Sequence, residues 1–393
     1  MHIALLNWTG GENDPFTAIN HELRRSLQAF GCEVTIVATD GELAQRLFVL
    51  NLSHRIDGVI THQGICSNLR IRSNDRLIWD ELGLHLLCLH SDHPALNPIN
   101  HQADSAYVTH TYCVPHHVEF ANASIPRSIP ARFLAVPSFY LKREVVAGRK
   151  GDYFVFPKNV DTIRTMTDEW TSRFSGKLLS LLIEAANDQV SNYLAGEPVD
   201  HHMILDQRLT ERLIGECMAS LNLDDPAKLR DWIHGWFDKV RRNIASEMVL
   251  RELAEIPMHI IGRGWDEYRE APSRFHKFSS LDVVSNGDFQ FYSRFGIIDI
   301  VPNKMSLHDR TLRAIAHHGG FLCDSKLPFD ALGGGPYSDL FFTGSSDDLK
   351  SKATAVIENP ERHLERCRQF GDEMLKTVPF EHFCKYLQDL FGA

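Results

Sequence analysis

The sequence predicts an α/β protein built from two Rossmann-like halves, and three observations carry that expectation. At 393 residues the chain is longer than one hydrophobic core usually supports. Short, continuously apolar runs alternate with helical patterns through the first 140 residues and again from about Met258 onward. Between the two series, about Asp161 to Leu253 reads as helical and polar-rich, with Pro198 and Pro226 as punctuation. This order implies two parallel-sheet domains facing a cleft, joined by a helical bridge, with ligands at the carboxyl ends of the strands. The expected divisions are 1–150 for the first domain, 151–253 for the bridge, 254–376 for the second domain and 377–393 for a C-terminal helix.

In the first half, His2–Trp8 is an apolar run that ends in Thr9-Gly10-Gly11. Phe16, Ile19, Leu23, Leu27 and Phe30 recur at helical spacing, and Gly31 is placed to end that helix. Cys32–Ala38, Gly58–Thr61, Leu84–Leu89, Ala106–Tyr112 and Arg132–Val136 read as further strands. The second series comprises Met258–Ile261, Leu281–Ser285, Gly296–Val301, Phe321–Asp324 and Leu340–Thr343, with helices at Asp309–His317 and Ser346–Glu358. Phe383, Tyr386, Leu387 and Leu390 form one stripe of an amphipathic helix over Phe380–Phe391.

Composition narrows the function. The 41 Lys plus Arg against 51 Asp plus Glu give a net charge of −10, which opposes broad nucleic-acid binding. No apolar run approaches the roughly 18 to 20 residues of a membrane span. The start has neither a charged leader nor a cleavage site, and the eight cysteines are scattered without a Cys-x-x-Cys pair. A reduced, cytoplasmic protein is expected.

Several segments carry residues suited to chemistry. Gly262, Arg263, Gly264 and Trp265 follow a buried strand, where glycines admit a ligand to the backbone and an arginine meets a phosphate. The alternative there is a turn with a surface arginine. Ser306 to Arg310 precedes a helix whose free N–H groups attract anions, and Arg310 adds a bidentate donor; simple helix capping is the alternative. Gly10 and Gly11 form a ligand-facing loop but lack the third glycine of a dinucleotide fingerprint, which argues against a NAD enzyme. His62, His90, Asp92 and His93 end strands, where His62 or Asp92 is placed to deprotonate a hydroxyl; loop hydrogen bonding is the competing role.

The 21 histidines include the pairs His116-His117, His201-His202 and His317-His318. None has the spacing of a His-Glu-x-x-His site, so no metal and no cofactor is expected. Serine-hydrolase and P-loop signatures are also missing.

From about Arg241 to Asp324 the order of motifs resembles the spore maturation protein CgeB-like group of GT-B glycosyltransferases. The stretches that carry it are Ile261–Trp265, Phe289–Tyr292, Gly296–Asn303, His308–Ala314 and Gly319–Asp324. His90–Pro94 is similar to that group's aspartate-proline motif in the first half. The resemblance implies a metal-independent glycosyltransferase that moves a sugar from a nucleotide-sugar donor to a hydroxyl on a glycan, lipid, protein or small-molecule acceptor. It implies an acceptor-side first domain and a donor-binding second domain. The donor residues would be Gly262, Arg263, Gly264, Trp265, Tyr292, Asn303, His308, Arg310, Gly319, Gly320 and Asp324, with Asp92, His62 and Arg310 catalytic. One departure stands out. Arg313 occupies the position where related enzymes hold the donor ribose with a glutamate, and arginine only donates hydrogen bonds. A catalytically degenerate nucleotide-sugar-binding module and a nucleotide-sugar 2-epimerase are the alternative readings.

Overall fold

A computed structural model of the chain describes residues 1–8, 15–54, 56–135, 151–160, 176–195, 201–221, 224–265, 273–279, 293–300, 307, 309–324, 336–343, 346–377 and 379–392. Contacts divide it into two compact units.

The first unit is built on β1 (His2–Asn7), β2 (Glu33–Ala38), β3 (Gly58–His62), β4 (Leu86–His90), β5 (Val108–Tyr112) and β6 (Arg132–Phe133). They form a sheet in the order β2-β1-β3-β4-β5-β6, and every neighbouring pair is parallel. Continuous apolar runs suit this arrangement because a parallel sheet is covered on both faces. On one face Ala4, Val59, Leu86 and Cys88 pack with Leu43, Leu47, Ile78 and Trp79 of two helices, Leu43–His54 and Ile78–Leu82. On the other, Ile3, Leu5, Ile60 and Leu87 meet Leu23 and Leu27 of the helix Pro15–Ala29. That face is completed by the last helix, Phe380–Phe391, which buries Phe383, Cys384, Leu387 and Phe391. The amphipathic stripe seen in the sequence therefore closes the core of the first unit.

The second unit holds β7 (Phe154–Pro157), β8 (Met258–Ile261), β9 (His276–Ser279), β10 (Ile297–Asp299) and β11 (Phe321–Cys323). Their order is β11-β10-β7-β8-β9, again parallel throughout. The central strand β7 lies inside the 151–253 stretch read as a helical bridge. Four residues ending in Pro157 are too short to display a periodicity, although all four are buried. The strand expected at Leu281–Ser285 lies outside the described residues, and β9 forms the sheet edge. Of Leu340–Thr343, only Phe341 bridges β11, after the 3-10 turn Ser338–Leu340.

Helices Gly176–Ala195, His201–Arg208, Glu211–Leu221 and Pro226–Glu252 make a layer with its own core of Leu182, Leu205, Ile214, Leu229 and Phe237. The 27-residue helix starts at Pro226 behind Asp225, whose carboxylate accepts from the N–H groups of Ala227 and Lys228. Its first half packs in that layer, and its second half lays Ala245, Val249 and Leu250 on the second sheet. No helix among the described residues is long and apolar enough to cross a membrane. All eight cysteines are free thiols.

Leu387 is fully buried against the first sheet. Leu387→Ala is expected to destabilise the first unit by about 2–5 kcal/mol, read by urea denaturation. An unchanged midpoint would show that the last helix is dispensable to that core.

Candidate functional site

In the second sheet the chain leaves β7 for β8 and β9, then returns to place β10 and β11 on the other side. The strand order thus reverses between β7 and β10, and open α/β sheets bind ligands outside the carboxyl ends at such a point. Lys158 follows β7, Asp299 ends β10, and the helix Asp309–Ala316 begins nearby with Arg310 in its first turn. These three side chains converge. Arg310 donates from Nη1 to the carbonyl of Pro157, the last residue of β7. Its Nε lies 3.3 Å from Asp299 Oδ1, and the other carboxylate oxygen accepts from Thr311 Oγ1 at 2.9 Å. Asp299 is 1% exposed, so its two partners supply what water cannot.

Lys158 is 4% exposed. Its Nζ reaches the carbonyl oxygen of Ile300 at 3.5 Å, a long contact for an ammonium. Burial first, then the guanidiniums of Arg310 and Arg242, hold its pKa well below the usual lysine range. Asp299 and Asp238 act in the opposite direction, but Asp238 is already engaged by Arg242 at 2.6 Å. A desolvated cation so placed gains from any anion that enters the crevice.

The other expected donor residues sit in different surroundings. Gly262 and Gly264 sit at the end of β8 with φ of 149° and 88°. A side chain at Gly262 would overlap the Lys158 carbonyl, and one at Gly264 the Val160 carbonyl. These glycines therefore serve the close approach of two backbone segments. Arg263 between them is exposed, and its N–H donates to Asn159 Oδ1 at 2.9 Å. Trp265, expected among the donor residues, is 1% exposed and packed in the core, and its indole donates to the Lys158 carbonyl at 2.6 Å. Gly319 and Gly320 were also expected among the donor residues. They precede β11, at the amino edge of the sheet, with Gly319 closing the preceding helix through its N–H to the Ala314 carbonyl at 2.7 Å. Gly320 is hemmed by Phe295 and His363, a packing role on the side opposite Arg310. Asp324, 1% exposed, follows β11 at the carboxyl edge beside Asp299, whose carbonyl takes its N–H at 3.3 Å. Tyr292, Asn303, His308, Gly10 and Gly11 lie outside the described residues.

In the first sheet the order reverses between β1 and β3, and His62 ends β3 there. Burial pushes its imidazole down to about 4. A histidine of that basicity is neutral at pH 7 and accepts a proton poorly. Asp92, exposed after β4, is better placed as a base: its N–H is held by Gln63 Oε1 at 3.3 Å, and Gln63 Nε2 donates to Ser91 Oγ at 2.5 Å. His93 is structural, accepting from the Ala95 N–H at 3.1 Å and packing edge-on against His117 and Phe120.

Two members of the site were not picked out in the sequence. Lys158 was hidden because its strand was, and the Phe154–Pro157 run before it was the available signal. Asp299 stood inside an apolar run, where nothing local marks a carboxylate as Arg310's partner.

Compared by sequence, the chain matches no family profile and no curated protein. Among solved structures it is similar to T4 phage β-glucosyltransferase, with a TM-score of 0.52 and 8% identity over 100% of both chains. It is also similar to sucrose-phosphate synthase from Thermosynechococcus elongatus, with a TM-score of 0.48 and 10% identity over 100% of both chains. Identities this low speak for architecture alone. The chain has an α/β fold of the GT-B glycosyltransferase type, with two Rossmann-like units.

Two outcomes follow from the packing. Gly264→Ala is expected to cost about 1–3 kcal/mol or more in urea denaturation through strain at positive φ and the clash with Val160; a neutral result would free that glycine for a ligand role. Burial also pushes His363 down to about 4, as it does His62, against an ordinary value of 6.5. The unfolded chain therefore binds protons more readily than the folded one between those values. Stability is fully present above pH 6.5 and falls towards pH 4, by about 1.4 kcal/mol per pH unit for each histidine. Urea midpoints at pH 7.5 and 5 test this, and His363→Gln should flatten the slope.

Proposed function

We propose that the chain is a glycosyltransferase that moves a sugar from a nucleotide-sugar donor to a hydroxyl acceptor. The observation that supports it most is Lys158, a buried lysine at the switch point of the second sheet, joined there by Arg310 and a helix start. In this reading Lys158 and Arg310 hold the donor diphosphate, and the first N–H groups of Asp309–Ala316 point at it. As the glycosidic bond to the diphosphate breaks, negative charge grows on the leaving oxygen, and these fixed cations stabilise it. They take the part a divalent metal plays elsewhere, so the transfer proceeds without one and without a cofactor. Asp299, itself held by the Thr311 hydroxyl, positions Arg310 by holding its guanidinium between β7 and β10. Asp324 lies at the same edge to meet the ribose hydroxyls, a role for which Arg313 lacks an acceptor. In the first unit, Asp92 accepts the proton of the acceptor hydroxyl if the transfer inverts configuration.

The fold similarity and the CgeB-like order of motifs both support this reading, in which the acceptor is a glycan, a protein or a small molecule. A reduced cytoplasmic setting agrees with eight free cysteines. Arg313 in place of a glutamate favours the second reading, a module that binds nucleotide sugar without turning it over. A 2-epimerase would convert the donor with no acceptor present, so product analysis separates it.

The test is the thermal midpoint with millimolar UDP, GDP, dTDP, ADP or CMP, with and without EDTA. A ligand at about one hundred times its dissociation constant adds about 2.7 kcal/mol. One nucleotide is expected to stabilise the protein despite EDTA. Lys158→Met should keep the unliganded midpoint, since it removes a buried charge, and lose the nucleotide shift. Arg310→Ala should lower transfer about tenfold or more. The proposal fails if no nucleotide stabilises the chain, or if Lys158→Met retains the full shift.

A further inference from the structure

Towards the carboxyl edge of the first sheet, one face changes from apolar packing to ligating side chains. The parallel register sets Cys88 beside His110 and His90 beside Tyr112. Alternation along β4 and β5 puts all four on the same face. A ligand atom from each of Cys88, His90 and His110 lies within 4.8 Å of the others, and all three residues are buried. His90 Nε2 and His110 Nδ1 are 2.9 Å apart. Two nitrogens bound to one tetrahedral zinc, at about 2.0–2.1 Å each, stand roughly 3.3 Å apart, so a small parting of the rings admits an ion.

The hydrogen bonds around the cluster point the same way. His110 Nε2 lies 3.2 Å from the carbonyl oxygen of Ala103, to which it donates. That fixes the tautomer and leaves a lone pair on Nδ1 facing His90, the outer-shell arrangement common to metal-bound imidazoles. His90 Nε2 must then be the donor between the rings. Its Nδ1 is buried without a hydrogen-bond partner, so the ring proton can move there and free the Nε2 lone pair for an ion. His101 is different. Its ring stacks on His90 at 4.2 Å, but its nitrogens are engaged by Tyr112 Oη at 2.7 Å and the Leu96 carbonyl at 3.2 Å. His101 walls the cluster and holds no position in it. Gly64 closes another side, where any side chain would meet the His90 ring and the Asn100 carbonyl. Arg127 donates to the His101 carbonyl at 3.2 Å, and its positive charge favours an anionic member among the ligands.

We infer that Cys88, His90 and His110 form a zinc site, with one thiolate and two neutral imidazoles as ligands. Binding releases the Cys88 thiol proton to solvent and leaves one tetrahedral position for a water or small ligand. Adjacent histidine pairs play no part. The ligands come instead from positions i and i+2 of one strand and the neighbouring position of the next. The site is independent of the nucleotide site, and its test reads neither transfer nor nucleotide binding.

The full-length chain is produced in medium supplemented with cobalt and depleted of zinc, so that a buried site fills during folding. One cobalt per chain is expected, with visible d–d absorption and a near-ultraviolet thiolate-to-cobalt band. Cys88→Ser should abolish that band, whereas Cys217→Ser in the helical layer should retain it. Should Cys88→Ser not fold, His110→Asn is read instead and should lower the bound cobalt by about tenfold or more. Substoichiometric cobalt in the parent chain, a band that survives Cys88→Ser, or full cobalt in His110→Asn would each overturn the site.

Discussion

The burial of Lys158 is the constraint around which the second unit is organised. An ammonium taken out of water at the end of β7 is costly unless the surrounding charge is arranged for it. Here the neighbouring charges are largely committed to one another: Arg310 to Asp299, and Arg242 to Asp238. Lys158 is left with only a long contact to the Ile300 carbonyl, at the point where the strand order of the second sheet reverses. The same contacts fix geometry, because Arg310 ties the end of β7 to the end of β10 while Thr311 holds the second oxygen of Asp299. Stability and ligand affinity pull in opposite directions at such a point, because burial disfavours the charged amine until an anion enters.

Close backbone packing supports that arrangement from the side. The Gly262 and Gly264 turn lies against the 158–160 segment, and the Trp265 indole donates to the Lys158 carbonyl. The backbone that carries the ammonium is thus held from two directions. A motif that reads as a ligand loop contributes by fixing its neighbour.

The first unit follows a different logic. Its carboxyl edge gathers histidines that burial keeps neutral, His62, His90, His101 and His110 among them. Neutral imidazoles in a dry setting are hydrogen-bond partners and metal ligands rather than strong bases. In the proposed readings the proton therefore passes to the exposed Asp92, and ligation falls to the buried cluster. The last helix covers the opposite face of that sheet with Phe383, Leu387 and Phe391.

The sequence by itself determined the class of fold. Apolar runs such as His2–Asn7 and Gly58–His62 cannot leave either face in water, which dictates a parallel sheet covered by helices. It also marked Arg310 at a helix start and the stripe of Phe380–Phe391. Tertiary structure decided which residues meet. β7 was too short to show a period, so Lys158 gained its meaning only when β10 and Arg310 were laid beside it. Trp265, Gly319 and Gly320 belonged to the motif pattern, yet packing placed the first in the core and the others at the far edge of the sheet. Cys88, His90 and His110 have no telling spacing along the chain, because their proximity is set by the register of two strands, and register is a property of the folded sheet.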